Sequence, residues 1–371
     1  MTQLSICESI KDIPAVQWNA LAGDINPFIQ HDFLLALETG QCLHGYGWKP
    51  KYFLIHNSND ELIGAMPAYE KDNSYGEFVF DWAWADAYRR AGINYYPKLV
   101  ISIPYSPCQG PRILTKDNDS ETKSLLIKFA LEFSVKHNYS SVHWLFTLED
   151  DLKVLKQHTE LQRFDYQFHW QNHNYENFDD FLSKLTSKKR KNIKQERRKV
   201  TDQNIDIKTF NGAELNDDQW NKIYHFYQIT FLKKSGSPTL SLSFFKAIAN
   251  KLLIIFAYKN NEIIAGAICI IGKETLYGRH WGCLEEYDGL HFEVCYYTGI
   301  EYCIQHGLKT FEPGAQGEHK IARGFLPVKT HSAHWVAHPE FHRVLVDHLQ
   351  RENAALEEYG VELMNASPYK D

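Results

Sequence analysis

The stretch LIIFAYKNNEIIAGAICIIGKETLYGRHW, residues 253–281, is the most informative about the architecture of the chain. Apolar runs rich in Ile flank the polar residues at 259–262, and a third run follows a second polar turn. This pattern predicts a three-stranded antiparallel meander. A helix predicted over Phe292–His306 and a strand over Leu308–Phe311 come next. The second half of the chain therefore predicts one mixed α/β unit.

The first half of the chain carries a second copy of this pattern. Residues 51–78, KYFLIHNSNDELIGAMPAYEKDNSYGEF, predict the same three strands, with the last over the SYGEF segment. In each copy a Gly-Ala pair precedes a Tyr-Gly pair. Tyr75 lies eleven positions after Gly64, and Tyr277 lies eleven positions after Gly266. The similarity predicts an internal duplication, with chance resemblance between common hairpins as the alternative.

The duplication predicts the domain organisation. A helix over Ser124–His137 and a strand over Ser141–Phe146 complete the first copy, after an insertion of about 33 residues at 84–119. Each copy follows a short helical lead-in. We therefore predict an α/β fold with mixed α+β sheets, divided into two tandem domains at 1–165 and 166–371.

Composition narrows the class of protein. The chain has 371 residues, 44% of them hydrophobic, with 22 Phe, 21 Tyr and 9 Trp, enough to form two cores. Its seven cysteines show no CxxC pair, which favours a reducing compartment. The amino-terminal residues lack a signal-peptide pattern and the apolar runs are short, so we predict a cytoplasmic protein without membrane insertion. A net charge of −6 argues against a general DNA-binding protein.

One basic segment contrasts with the acidic chain. Residues 184–199 contain nine Lys or Arg and a single acidic residue, Glu196. Asn177 and Ser187 are candidate N-caps, which predicts two consecutive helices here. Such a charge density suits a phosphate-bearing substrate, a CoA pyrophosphate or an RNA end; the alternative is a solvated helix beside acidic residues. The candidate anion-binding side chains are Lys188, Arg190, Lys191 and Lys194.

A second concentration of polar residues follows the last predicted strand, in FEPGAQGEHKIAR at 311–323. A carboxylate or imidazole can act as a general base, and a cation can stabilise an oxyanion, whereas glycines let backbone amides approach a ligand. The alternative is a polar surface turn. The candidate bases are Glu312, Glu318 and His319; the candidate cations are Lys320 and Arg323; and the candidate ligand-approach residues are Gly314, Gln316 and Gly317.

Upstream of this loop, strand alternation predicts Tyr277, Arg279 and Trp281 on one face. They would either line a substrate pocket or form a half-buried arginine with aromatic cover.

Several common catalytic patterns do not occur. The chain lacks HExxH, P-loop, GxGxxG and GxSxG patterns, so we predict no metal site and no serine nucleophile. Cys108 with the distant His143 is the weakest candidate pair.

The quoted segments resemble a bacterial family related to the Fem aminoacyltransferases, often labelled FemAB-like or peptidoglycan biosynthesis/recognition. The similar stretches are SYGEFVFDWAWADAYRRAGINYYPKL at 74–99, FDDFLSKLTSKKRKNIKQERRKV at 178–200, TLYGRHWG at 275–282 and the long run at 290–328. The resemblance implies two tandem GNAT-like domains. It also points to Arg190, Asn192 and Ile193 as an R-x-N-I core and to Lys320 as a site lysine.

The resemblance implies an N-acyltransferase that moves an acyl or aminoacyl group from CoA or aminoacyl-tRNA to an amine, with a cell-wall precursor as one acceptor. The pyrophosphate-binding turn of acetyl-CoA enzymes has no clean copy, since Pro111 interrupts the comparable segment. We therefore expect no tightly bound cofactor, with acetyl-CoA or another donor as co-substrate. A non-catalytic recognition module and an RNA-binding protein are the alternatives.

Overall fold

The computed structural model describes residues 2–233, 236–315 and 317–370. Its strands are β1 Gln3–Cys7, β2 Trp48–Pro50, β3 Tyr52–His56, β4 Leu62–Met66, β5 Tyr69–Lys71, β6 Lys98–Ile101, β7 Leu114–Thr115, β8 Ser141–Thr147, β9 Leu161–Gln171, β10 Ile205–Asn211, β11 Leu252–Lys259, β12 Glu262–Ile271, β13 Thr275–Cys283, β14 Thr310–Glu312 and β15 Leu326–Val336.

The helices alternate with these strands, as a mixed α/β chain requires. They are α1 Ala15–Ala22, α2 His31–Thr39, α3 Trp82–Arg90, α4 Ser120–Lys136, α5 Glu149–Leu155, α6 Phe178–Lys184, α7 Ser187–Asp202, α8 Asp217–Lys233, α9 Leu242–Ala247, α10 Leu290–Phe292, α11 Thr298–Gln305 and α12 Pro339–Asn365. A π-helical segment, Glu293–Tyr297, joins α10 to α11. No helix in the described part of the chain is long and apolar enough to cross a membrane.

The chain divides into two compact units. Unit 1 comprises Met1–Tyr166 and Lys329–Tyr359, and unit 2 comprises Gln167–Val328 and Gly360–Asp371. These units differ from the predicted division at 1–165 and 166–371 because residues 329–359 belong to unit 1. The reason is strand pairing: the end of β15 pairs antiparallel with β8, so that His334 lies opposite His143.

Unit 1 contains two sheets. One has the order β1-β3-β4-β7 and is antiparallel throughout. The other runs β2-β5-β6-β8-β15, in which β6 and β8 are parallel. Helix α4 packs against β3 and β4 through Leu126, Ile127 and Ala130, all fully buried. Its start is fixed by Asp119, whose carboxylate accepts the Thr122 amide at 2.8 Å.

Unit 2 contains a single sheet among its described residues, in the order β10-β11-β12-β13-β14-β9. The predicted meander is confirmed as β11, β12 and β13, and its first turn contains Asn260 and Asn261, both with positive φ. Strands β13 and β14 are parallel. The buried side chains of Ile254, Ile268 and Phe311 form part of the core.

The two copies are less alike than the sequence pattern indicates. The third strand predicted over SYGEF in the first half is wrong, since residues 74–78 form a loop. The strand that pairs with the far side of β4 is instead β7, and β6 takes the parallel position beside β8. The reason is that Ser74 and Glu77 turn inward to a buried lysine, Lys98, and so cannot alternate along a sheet.

Candidate active site

The candidate site of unit 2 lies where two parallel strands separate. Strands β13 and β14 pair only as far as Tyr277 and Glu312, after which β13 continues to Cys283 beside β12 and β14 turns away. A Cβ placed on Gly278 would lie 3.2 Å from the Cα atom of Pro313, so glycine permits the close approach. Ligands of α/β sheets bind at such carboxyl ends of parallel strands, where neighbouring connections diverge.

A β-bulge changes which side chains face this opening. The register shifts so that Cys269 lies opposite Gly278 and Ile268 opposite His280, which leaves Arg279 as the extra residue. Tyr277 and His280 therefore share one face, and the His280 ring packs 4.6 Å from that of Tyr227 on α8.

The expectation that Tyr277, Arg279 and Trp281 share a face is thus wrong. Trp281 lies on the opposite face from Tyr277, with its ring 5.5 Å from that of His291 on α10. The physical reason is the single inserted residue, because a side-chain period of two reverses at a bulge. Alternation read from sequence has no means of locating such an insertion.

A buried lysine is hydrogen-bonded across the loop that follows β14. The Nζ atom of Lys320 donates a 2.7 Å hydrogen bond to the carbonyl of Gly314, and its residue is 2% exposed. Gly314 and Gly317 have φ of 97° and 117°, conformations that favour glycine. Burial lowers the pKa of Lys320 to about 8. Gln316, also a predicted ligand-binding residue, lies outside the described residues.

His319 is the best placed of the three candidate bases. Its Nε2 shares a 2.8 Å hydrogen bond with the Tyr296 hydroxyl, in the π-helical segment, while the residue itself is exposed. Partial burial of the ring and the charges of Arg323 and Lys320 lower the pKa of His319. A neutral imidazole at neutral pH can accept a proton. Glu318, its neighbour, is exposed, and Glu312 is half-buried at the end of β14.

Arg323 joins the loop to the basic helix α7. Its guanidinium donates to both carboxylate oxygens of Glu196, at 2.7 and 3.2 Å, and to the carbonyl of His319 at 2.7 Å. It also lies 3.5 Å above the Phe292 ring, and Tyr297 donates to the same carboxylate of Glu196. These contacts make Arg323 a positioning residue in this structure. Sequence reasoning identified Arg323 but gave Glu196 no role.

The basic segment forms the two predicted helices, α6 and α7, with the Asn177 side chain capping the first. The two ends of α7 differ in charge pairing. From the middle of α7 onward, Lys194 pairs with Asp179 at 2.9 Å and Lys199 with Asp288 at 2.7 Å. Arg197 pairs with Glu293 and Glu301 at 2.8 and 2.9 Å.

Toward the amino end of α7, no ion pair to a basic side chain occurs within residues 2–233, 236–315 and 317–370. The four cations there are Lys188 and Lys191, both exposed, and Lys189 and Arg190, both half-buried. Asn192 is exposed beside them. Of the four predicted anion-binding side chains, Lys188, Arg190 and Lys191 therefore carry charge that no ion pair within the described part of the chain neutralises. The charge of Lys194 is neutralised by its ion pair.

A cavity of about 960 Å³ lies between α7, β10 and α11 on the paired side of the helix. Arg197 and Glu301 line it, together with Phe178, whose ring lies 4.5 Å below the Arg197 guanidinium. Sequence reasoning missed this ion-pair network because its three charges are distant in the chain. No group of three or more His, Cys, Asp or Glu side chains that could hold a metal ion occurs among the residues searched.

The fold is shared with solved structures of low sequence identity. FemX covers 93% of this chain and 100% of its own, at 9% identity and a TM-score of 0.55. L-PGS from Bacillus licheniformis covers 89% of this chain and 98% of its own, at 11% identity and a TM-score of 0.52. The predicted class, a mixed α/β fold, is confirmed, and FemX and L-PGS share this fold over most of both chains.

The family follows from the sequence itself. A family model described as FemAB-like, peptidoglycan biosynthesis/recognition, matches residues 9–371. The chain therefore belongs to the FemAB-like family. A search of the curated proteins finds no match to it.

Proposed function

We propose that the protein is an N-acyltransferase whose reaction takes place in unit 2, where β13 and β14 separate. The observation that carries the proposal is the pair His319–Lys320 in the loop after β14. One side chain is exposed with a lowered pKa and the other is buried with a pKa near 8. Adjacent titratable groups whose pKa values are shifted from their ordinary values are typical of acid–base sites. Membership of the FemAB-like family and the FemX-like fold support the same class.

The chemistry assigns a role to each residue. The acceptor is an amine, whose nitrogen attacks the acyl carbon. Neutral His319 takes the proton that the amine nitrogen loses in this attack. A tetrahedral oxyanion forms, and its collapse breaks the carbon–sulfur bond of a thioester or the carbon–oxygen bond of a tRNA ester. The departing sulfur or oxygen takes the proton that His319 holds and leaves as free thiol or as the tRNA hydroxyl. Protonated Lys320 has three donors, of which Gly314 occupies one, so two remain for the oxyanion.

The unpaired end of α7 supplies the donor site. CoA and aminoacyl-tRNA both carry phosphates, and Lys188, Arg190 and Lys191 offer charge-assisted hydrogen bonds to them, with Asn192 as a neutral partner. The contacts from Glu196 to Arg323, and from Arg323 to the carbonyl of His319, would hold this donor site close to the catalytic loop. We propose a peptidoglycan precursor with a free amine as the acceptor, in accordance with the family description.

The test is a transfer assay with defined probes. The full chain is incubated with a peptidoglycan precursor and either acetyl-CoA or charged tRNA, and the precursor is analysed by mass spectrometry. We expect an N-acylated product that is lost in His319→Gln and Lys320→Met variants with unchanged melting temperature.

Absence of product with either donor, together with a rise in melting temperature on adding the precursor alone, would contradict catalysis and favour a recognition module. Melting-temperature shifts with each donor alone distinguish CoA from tRNA. A salt titration of tRNA binding counts the phosphate contacts, because affinity for a single strand falls with a slope of about −0.7 per contact.

A further inference from the structure

One segment of unit 1, residues 74–82, has its polar side chains buried and its aromatic side chains exposed, the reverse of an ordinary surface loop. Its polar residues Ser74, Glu77 and Asp81 are buried. Its aromatic residues point outward, with exposed fractions of 69% for Tyr75, 42% for Phe78, 51% for Phe80 and 42% for Trp82. Contiguous exposed apolar patches on a protein commonly mark an interaction site. We call these four residues the aromatic surface.

A buried ionic anchor holds the loop in this orientation. The Nζ atom of Lys98, a fully buried residue, donates to Ser74 at 2.9 Å and Glu77 at 2.8 Å, and also pairs with Asp81. Phe78 has φ of 63°, a left-handed conformation that is strained for an aromatic residue. Such strain persists where surrounding contacts enforce it, and it is found at binding sites. The outward rings are therefore imposed by the core.

The aromatic surface is smaller than the area that a stable interface with a second copy of this chain needs. A buried aromatic side chain removes about 150–250 Å² from water, so the exposed fractions of the four rings amount to roughly 300–500 Å². A stable protein interface needs about 800 Å² on each partner. A bilayer imposes no such threshold, because single aromatic rings can enter its headgroup region, where Tyr and Trp are enriched.

The charges beside the aromatic surface fit a phospholipid. Helix α3 begins with Trp82 and ends with Arg89 and Arg90, about 10 Å further along its axis. The arginine side chains are 78% and 71% exposed and share a single partner, Asp86, which leaves one positive charge. Guanidinium groups bind phosphate oxygens in bidentate fashion. Arg89 lies seven residues after Trp82 and so shares its face of α3, and Tyr75 packs on Trp82 with 5.0 Å between ring centroids.

We propose that Tyr75, Phe78, Phe80 and Trp82 dock unit 1 on the interfacial region of a phospholipid bilayer, with Arg89 and Arg90 binding lipid phosphates. The site is distinct from the loop at His319 and independent of the proposed transferase function. Docking through these side chains would hold the protein on a membrane surface without a membrane-spanning helix.

The experiment is vesicle flotation of the full chain with equal parts phosphatidylglycerol and phosphatidylcholine. We expect binding that falls about tenfold or more in a variant combining Tyr75→Ser, Phe78→Asn, Phe80→Ser and Trp82→Ser, as loss of buried apolar area requires. Arg89→Gln with Arg90→Gln should weaken binding more to these vesicles than to pure phosphatidylcholine, whose choline group compensates the phosphate charge. Brominated lipids should quench tryptophan fluorescence, and Trp82→Phe should abolish that quenching while retaining binding.

The matched control removes equally exposed apolar groups elsewhere in unit 1, through Val16→Ser, Ile25→Ser and Val135→Ser. Circular dichroism confirms that each variant is folded. Vesicle binding that is absent in the wild type, or equally reduced in the control, would overturn the proposal. So would a dimer, or binding of a chitin oligosaccharide, that disappears with the aromatic surface, because either result would identify a different occupant.

Discussion

Each unit contains a buried lysine beside a parallel strand pair, and the two lysines have opposite pKa shifts. Burial alone would lower the pKa of Lys98 in unit 1, but Glu77 and Asp81 attract its charge and raise that pKa above the usual value. Lys320 in unit 2 donates to a neutral carbonyl, so burial lowers its pKa to about 8. A buried lysine thus stabilises the fold as a permanent cation where carboxylates surround it. Where carboxylates are absent, it can gain or lose its proton near neutral pH.

The largest effect is expected on stability, when the ion pairs of Lys98 in unit 1 are removed. Lys98→Met leaves Glu77 and Asp81 buried without their cation, so we expect a loss of about 3–5 kcal/mol in the free energy of unfolding. Lys320→Met leaves no carboxylate uncompensated and should cost about 1 kcal/mol or less. Urea denaturation of the two variants measures the difference. Adding Glu77→Gln to Lys98→Met should recover part of the loss; equal losses for the two lysines would refute the comparison.

The second effect concerns turnover. On the acceptor identified by the transfer assay, Lys320→Met and His319→Gln should each lower kcat by about a hundredfold, as expected for loss of an oxyanion donor or a general base. Stability should change little, since His319 is exposed. Steady-state kinetics with melting temperatures as the control measures this. Full activity in Lys320→Met would remove unit 2 as the site.

A smaller effect distinguishes the two ends of α7. Lys188→Gln with Lys191→Gln should weaken binding of the phosphate-bearing donor by about tenfold, because each removes a charge-assisted contact. The control pair, Arg198→Gln with Lys199→Gln, removes the same charge from side chains already paired with Asp202 and Asp288. Equilibrium binding at two salt concentrations makes the comparison. Equal weakening by both pairs would mean that only net charge matters.

The smallest effect is a change in the pH profile. His319 must be neutral and Lys320 protonated, so activity should fall on the acid side below the ordinary histidine pKa and be about half maximal near pH 8. His319→Gln should abolish the acid limb. Lys320→Arg should move the alkaline limb upward, because arginine keeps its proton. A profile that rises through pH 8 would mean that neutral Lys320 is the base.

Local patterns predicted most of unit 2. The meander of residues 253–281, the helix after it and the cap at Asn177 follow from short-range periodicity and turn chemistry, and the structure contains all three. The bulge at Arg279 does not follow, because one inserted residue leaves no mark on composition. It reversed the expected positions of Tyr277 and Trp281.

Long-range ionic contacts were beyond sequence reasoning. The segment at 74–78 has strand-like composition, yet Lys98, some twenty residues later, draws Ser74 and Glu77 inward. In the same way, Glu196 looked like an isolated acid in a basic stripe, and only the fold brings Arg323 to it. The loop residues His319 and Lys320 were identified by type, but their burial and partners depend on Tyr296 and Gly314.

The most direct test is an NMR titration of the lysine side chains, with Lys320→Arg and Lys98→Met used to assign the signals of these two residues among those of the buried lysines. We expect the Lys320 signal to titrate near pH 8, whereas Lys98 should stay charged through the same range. A Lys320 that stays charged beyond its ordinary pKa, or a Lys98 that titrates with it, would contradict the distinction between an anchoring Lys98 and a reactive Lys320.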